Sequence, residues 1–267
     1  MQIFAAGPGW RAVACGYGHN IVIKTDGTLW AWGDNAYGQL GNNSTTGTMT
    51  PVQIGTDTTW TTISSFLFHN LALKSDGTLW AWGYNEYKQL GDGTVTNRNY
   101  PFKIGNENTW TSVSAGALHS LAVKTDGTLW TWGFNYYGQL GNGTTFDSYV
   151  PSQIAGDSWT SITGTGEFYS VAQKADHSLW SWGYNYLGEV GDGTTIERHS
   201  PVIIDLATAI KINDGAAYTN SLTTDLTFSV FDKNSIAEMQ FSNDNITWTA
   251  PEAYATSKTG FFPPMMA

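Results

Sequence analysis

Tryptophan returns in this chain at a fixed interval, and that interval limits the folds open to it. Gly-Thr-Leu-Trp stands at 27–30, 77–80 and 127–130, and His177-Ser178-Leu179-Trp180 is a weaker fourth copy. Trp-x-Trp-Gly ends at Gly33, Gly83, Gly133 and Gly183. Gln-Leu-Gly follows at 39–41, 89–91 and 139–141, with Glu189-Val190-Gly191 as the fourth. Pro51, Pro101, Pro151 and Pro201 come next, and Trp10, Trp60, Trp110 and Trp159 open the units. Of the 13 tryptophans, all but Trp248 sit at these positions. A period of this length signals stacked copies of one supersecondary unit.

Each unit reads as four short strands. In the second, Trp60–Ser64 is the first strand and His69–Lys74 the next, with Leu71 and Leu73 on one face. Ser75-Asp76-Gly77 is a tight turn, and Asp-Gly suits a type I′ hairpin. Thr78–Gly83 places Trp80 and Trp82 on one face and Leu79 and Ala81 on the other. Residues 84–100 form an irregular loop, and Pro101–Ile104 is an edge strand, where a missing N–H is tolerated. Helical repeats need apolar spacings of three and four; these segments alternate in twos. Four strands per unit is the construction of a propeller blade. The expectation is an all-β array of four four-stranded blades over 1–204, with repeats at about 10–54, 60–104, 110–154 and 159–204. The array is either a small closed ring or an open arc of a larger propeller.

Composition narrows the function classes. Net charge is −10 with only 12 Lys and Arg, which argues against nucleic acid and against an anionic membrane surface. Lys24, Lys74, Lys124 and Lys174 recur at one position and read as architecture. No apolar run approaches the length of a membrane span, and the first residues lack the pattern of a signal peptide. The chain is therefore either cytoplasmic or the interior of a longer secreted protein. Cys15 is the single cysteine, so no disulfide framework forms within the chain, and a small buried hydrophobe is the expected role.

These residues resemble the regulator of chromosome condensation repeat family. The resemblance rests on Gly16-Tyr17-Gly18-His19, Asp26-Gly27, Trp32-Gly33 and Gly38-Gln39-Leu40-Gly41. The set recurs from His69 to Thr94 and from His119 to Thr144. It covers about residues 10–204 and implies a propeller of four-stranded blades. The family's name-giving member has seven blades, is a nucleotide exchange factor for a small GTPase and binds chromatin; no counterpart of its functional loops is found in this sequence. Four blades shaped for a larger ring would expose an apolar face at each end, a route to self-association. The acidic, Thr- and Asn-rich texture is similar to that of bacterial surface proteins with such repeats.

After Ile204 the period stops. Asp205–Ile212 reads as a connector, Leu222 to Val230 alternates as a strand, and Ser242–Asn245 reads as a turn between Ile236–Phe241 and Ile246–Trp248. The end, from Gly260, carries no strand pattern. Residues 205–267 are similar to the opening half of an immunoglobulin-like module, too short for a full sandwich. The expectation is a chain truncated at both ends.

Three sets of residues suggest chemistry and are better read as structure. His19, His69 and His119 sit one per unit and read as histidines bonding backbone, not as a metal triad. Gly91-Asp92-Gly93-Thr94 and Gly191-Asp192-Gly193-Thr194 carry one carboxylate each, too few for calcium. Asp26, Asp76, Asp126 and Asp176 are hairpin residues, without the paired, unlike environments of catalytic acids. No catalytic, cofactor or metal residue is expected, and the chain is read as non-enzymatic.

Functional candidates are loop positions that vary while the frame repeats: Tyr84, Phe134, Tyr136, Tyr184, Tyr186, Arg98, Tyr100, Tyr149 and Arg198. Aromatic and Arg residues on loops are the usual chemistry of binding hot spots; the competing role is packing between blades. The leading function is a protein-interaction or adhesion scaffold on a bacterial extracellular or cell-surface protein. The alternatives are an intracellular regulator resembling a small-GTPase exchange factor and an enzyme-inhibitor-type propeller. A glycan hydrolase lacks a carboxylate pair to support it.

Overall fold

The computed structural model describes residues 9–163 and 166–204, together with the backbone of five short strands between 209 and 261. The chain divides into two compact units, 1–204 and 205–267.

The first unit is four antiparallel sheets of four strands, and no helix occurs among the described residues. The first sheet is β1 (Trp10–Cys15), β2 (His19–Lys24), β3 (Leu29–Gly33) and β4 (Thr48–Ile54). The second is β5 (Trp60–Phe66), β6 (His69–Lys74), β7 (Leu79–Gly83) and β8 (Arg98–Lys103). β9 (Trp110–Ala115), β10 (His119–Lys124), β11 (Leu129–Gly133) and β12 (Ser148–Gln153) make the third. The fourth is β13 (Trp159–Thr163), β14 (Tyr169–Lys174), β15 (Leu179–Gly183) and β16 (Arg198–Ile203). Strands are paired in sequence order within every sheet. First and second strands meet the first strand of the next blade, so the first strand is the inner edge and the fourth the rim.

Alternation assigns the two faces of each blade to two neighbours. Leu79 and Ala81 pack with Trp110 and Trp132 of the third blade, while Trp82 and Trp80 pack with Leu29, Leu40 and Ile54 of the first. The same pattern joins the third blade to the fourth through Leu121, Val123, Leu129, Trp159 and Trp182. Blade cores are thus shared between sheets.

Two local expectations need correction. A type I′ hairpin needs positive φ at both central residues, yet only the glycines, at φ 80° for Gly27 and 76° for Gly77, enter that region. Gly27 N–H bonds the Lys24 carbonyl, and Asp26 Oδ1 accepts from the backbone N–H and hydroxyl of Thr28. The loop has three residues and the glycine closes it; His177 takes that conformation in the fourth blade at φ 68°. The rim strand begins at Arg98 rather than Pro101, and the proline lies where the register shifts between Ala81 and Gly83, so its missing N–H interrupts no regular ladder.

The recurring lysines are architectural. Lys74 Nζ lies 3.8 Å from the Trp80 ring and 4.6 Å from that of Trp60, and it pairs with Asp57 at 2.6 Å. Lys124 repeats this with Trp130, Trp110 and Glu107. Lys24 and Lys174 also sit over two indoles each.

In the second unit, β17 (Ala209–Ile212), β18 (Thr223–Ser229) and β21 (Ser257–Phe261) form one sheet, and β19 (Glu238–Met239) pairs with β20 (Glu252–Ala253). The connector expected over 205–212 therefore contains a strand, and a strand reaches Phe261 where none was expected. Pairing supplies order there that alternation alone did not signal. The turn expected at Ser242–Asn245 lies outside the described residues.

Candidate functional site

The blade junctions account for most repeated polar residues. Gln39 offers its backbone carbonyl to the next blade, where Trp82 Nε1 donates at 3.0 Å and Asn70 Nδ2 at 2.8 Å. Gln89 receives Trp132 Nε1 and Ser120 Oγ, and Gln139 receives Trp182 Nε1 and Ser170 Oγ. The glycine of Gln-Leu-Gly leaves room for that indole: a Cβ on Gly41 would stand 2.9 Å from Trp82 Nε1, and one on Gly141 would stand 2.6 Å from Trp182 Nε1.

The histidines complete the junctions, with a partner different from the one expected. They bond side chains of the following blade: His19 Nε2 to Asn70 Oδ1 at 2.8 Å, His69 Nε2 to Ser120 Oγ and His119 Nε2 to Ser170 Oγ, both at 3.0 Å. Each serine hydroxyl spends its single proton on a carbonyl, so the histidine must donate; Asn70 Oδ1 can only accept. All three are Nε2–H tautomers. Burial first, with the neighbouring histidines after it, lowers the pKa of His69 to about 3; burial alone lowers that of His119 to about 4. Burial also lowers His19, opposed by the Asn70 bond and by Asp34. No cluster of side chains that could hold a metal occurs among the described residues.

Asp92, read as a poor calcium ligand, is fully committed. Its Oδ1 accepts from Thr94 N–H, Thr94 Oγ1 and Asn85 Nδ2; its Oδ2 pairs with Arg98. Asp192 does the same for Thr194 and Arg198, and its pKa falls to about 2, hydrogen bonds and Arg198 outweighing desolvation. Reading the sequence missed the centre of this loop. Asn35, Asn85, Asn135 and Asn185 are fully buried, each accepting from the N–H five residues on and donating to loop carbonyls. Their signal was constancy between two varying positions.

The candidate residues separate into two groups. Arg98 and Arg198 are held by Asp92 and Asp192. Tyr100 lies against Phe102, and Tyr149 lies under Lys88 while its carbonyl accepts from Gly93 N–H. Tyr84, Phe134, Tyr136, Tyr184 and Tyr186 instead come together in one continuous surface. The loop after each third strand is tied to the loop before the second: Asp34 N–H to Gly18 O, Tyr84 to Phe68, Phe134 to Leu118, and Tyr184 to Phe168. This sets both loops at the same end of every blade.

Ring contacts then run without a gap across all four blades. They pass from Tyr17 through Phe68, Tyr37, Tyr84 and Tyr87 to Phe134, and on through Tyr137, which also meets Phe168, to Tyr184 and Tyr186. Phe134, Tyr84 and Tyr184 are half-buried and pack between blades. Tyr17, Tyr136 and Tyr186 stand out from the belt at 78%, 67% and 71% exposure. Glu86 accepts the Tyr84 hydroxyl, and the Tyr184 hydroxyl is raised by burial and by Glu189 and Glu197 nearby. On the side of the blades, a cavity of about 390 Å³ opens between the second and third, walled by Phe102, Trp110 and Trp130.

Four-stranded blades sharing cores across junctions, with a structural His and Trp at each, define a propeller of the kind used as a protein-interaction scaffold. The chain belongs to the regulator of chromosome condensation (RCC1) repeat family, whose repeat matches residues 26–73, 76–123 and 126–172, and in a second form residues 10–39 and 110–139. Among solved structures it is similar to human WBSCR16, with 24% identity and a TM-score of 0.68 over 79% of this chain and 56% of that one. It is also similar to yeast RCC1 (Prp20) bound to Kap60, with 23% identity and a TM-score of 0.68 over 78% of this chain and 52% of that one. A separate structure of Prp20p from Saccharomyces cerevisiae, described with its binding properties to Gsp1p and histones, matches at 23% identity and a TM-score of 0.68 over 78% of this chain and 54% of that one. The chain thus spans about half the length of the solved relatives it matches, and the likeness is one of fold.

Proposed function

We propose that this chain is a non-catalytic protein-interaction scaffold whose contact surface is the aromatic belt. One observation carries the reading: three exposed tyrosines project from a belt of ring contacts that spans four blades. Exposed aromatics on a preformed frame give large contact area at small entropic cost. The frame itself leaves little else for function, since its His, Asn, Asp and Arg residues are consumed at junctions and loops.

A photoreactive residue at position 136 or 186 tests this, with the rim position 53 as control, in extracts and culture fluid of the source cells. A discrete protein adduct at 136 and 186 but not at 53 is the expected result. Adducts at none of these positions, or equally at all, would overturn it.

We further infer an extracellular or cell-surface setting, supported by the net charge of −10 and by a second β unit at 205–267. Residues 205–267 are proposed as part of an immunoglobulin-like module; cell fractionation and the parent gene test both proposals. The second reading is an intracellular regulator, favoured by the likeness to Prp20p and its binding to Gsp1p. Accelerated nucleotide release from a small GTPase of the same cell would select it. Self-association through the blade ends is proposed as a secondary contact.

A further inference from the structure

We propose that the belt's partner presents a cationic, Arg- or Lys-bearing extended segment; this rests on the scaffold reading above. The argument begins with an asymmetry inside each blade. At the side of the blade the chain supplies its own cation to its aromatic rings, as Lys24, Lys74, Lys124 and Lys174 each sit over two indoles. Along the belt, among the described residues, no cation lies over any ring from Tyr17 to Tyr186.

Charge points the same way. Asp34, Glu86, Glu167 and Glu197 are exposed carboxylates on the belt loops, and Glu189 is half-buried among them. Asp34 accepts from Gln39, Glu86 from the Tyr84 hydroxyl, and Glu189 from the Leu187 N–H, so these carboxylates are fixed within the belt loops, Glu86 against Tyr84 and Glu189 near Tyr184. Lys88 follows the belt residue Tyr87 in the chain, and Asp147 holds it at 2.6 Å with its ammonium over Tyr149 rather than over the belt. Ring faces attract cations through their quadrupole, and neighbouring carboxylates add to the field. The arrangement repels phosphate and other anions. A neutral sugar would use the rings and leave the charge unused.

Geometry favours an extended segment. Tyr136 lies nearly parallel to Phe134, 11° between planes at 6.4 Å, and Tyr184 and Tyr186 repeat the pairing one blade on at 30° and 6.4 Å. Two projecting rings on successive blades form a row, which side chains on one face of an extended chain can meet in turn.

The test is calorimetric titration of the whole chain with a Gly-Arg repeat peptide, with Gly-Gln and Gly-Glu peptides as controls. Only the Gly-Arg peptide is expected to bind. The Y136A/Y186A double variant should weaken it about tenfold, since each lost cation–π contact is worth about 0.5–1 kcal/mol. The E86Q/E189Q variant should weaken it at low salt and match wild type at high salt, where exposed charges are screened. Unchanged thermal unfolding of both double variants checks their folding. Equal binding of the Gly-Gln peptide, no binding of the Gly-Arg peptide, or an unaffected Y136A/Y186A variant each overturns the proposal. If cross-linking at 136 yields a partner that the Gly-Arg peptide does not displace, the cationic assignment fails while the scaffold stands. If the peptide binds but no partner is found, the scaffold reading fails and the cation preference remains.

Discussion

The interior junctions and the two outward blade faces are built from the same repeat, yet they sit in different environments. Trp60, Trp110 and Trp159 are 2–5% exposed, whereas Trp10, the same residue of the first blade, is 56% exposed. On the opposite face Leu29, Leu79 and Leu129 are fully buried, and Leu179 is 39% exposed. The two outward faces also differ from each other. The first blade keeps the full receiving set: Trp10, Trp32 and Asn20 stand where Trp60, Trp82 and Asn70 receive the first blade. The fourth blade has drifted: Gln173 replaces the apolar residue found at Ile23, Leu73 and Val123, Tyr169 replaces the histidine, and Glu189 replaces the glutamine. Only the fourth blade admits polar groups where water reaches its face; the first keeps the repeat's apolar pattern with Trp10 and Val13 exposed.

Cys15 belongs to this comparison and corrects an expectation. It is exposed, although a free cysteine is usually buried. Its equivalent Ala115 is fully buried in the third blade. The repeat position is a core position, and the first blade has that face open.

The largest break in the comparison should come from paired tryptophan truncations. Trp132→Ala empties a fully buried site and removes the donor to Gln89; it should cost about 3–5 kcal/mol in urea unfolding. Trp32→Ala, half-buried and on the outward face, should cost less than half of that. Equal losses would show that the two environments are alike.

Acid should act on the interior junctions next. His69 and His119 have folded pKa values near 3 and 4 against an ordinary 6.5, so the unfolded chain binds protons first as pH falls. Their stabilisation is complete above about pH 6.5 and is lost as pH drops towards 4 and then 3. Each should remove about 2 kcal/mol between pH 6.5 and pH 5. Urea midpoints across that range should slope steeply for wild type and less for His119→Gln; parallel slopes would remove the histidines as the cause.

A smaller effect is expected from making the fourth blade resemble the interior. Gln173→Val restores the apolar pattern on its outward face, and stability should move by only about 0.5 kcal/mol. Light scattering should report a higher mean mass than wild type at the same concentration. An unchanged mass would mean that Gln173 does not limit association. Thiol reactivity carries almost no energy but maps the same boundary. Native Cys15 should react with a thiol reagent at close to the unfolded rate, while a cysteine at Ala115 in a Cys15→Ser background should be protected.

Much of the fold was legible because a repeated sequence states its pattern four times. The strands around Trp80 and Trp82, the opposite facing of Leu79 and Ala81, and the structural role of the lysines all follow from alternation and period. Turn geometry was less legible: Asp-Gly fits several hairpins, and only the backbone shows that Gly27 alone takes positive φ. The candidate site was legible as a set of varying loop residues but not as a surface. Tyr37, Phe68, Tyr87, Tyr137 and Phe168 were absent from that set because nothing in their local pattern marks them; they join it through contacts between loops and between blades.

By itself, the sequence determined the period, the four-stranded blade and the family, because alternation, turn residues and motif spacing are local properties. It also determined that the frame absorbs most Trp, Gly and His residues. Tertiary structure decided what those residues touch. Only packing shows that one carbonyl of Gln-Leu-Gly receives the next blade's indole, that His tautomers are fixed by serine and asparagine partners, and that Cys15 and Trp10 lie open. The belt is of the same kind: its rings lie tens of residues apart in sequence and meet because stacking blades bring equivalent loops side by side.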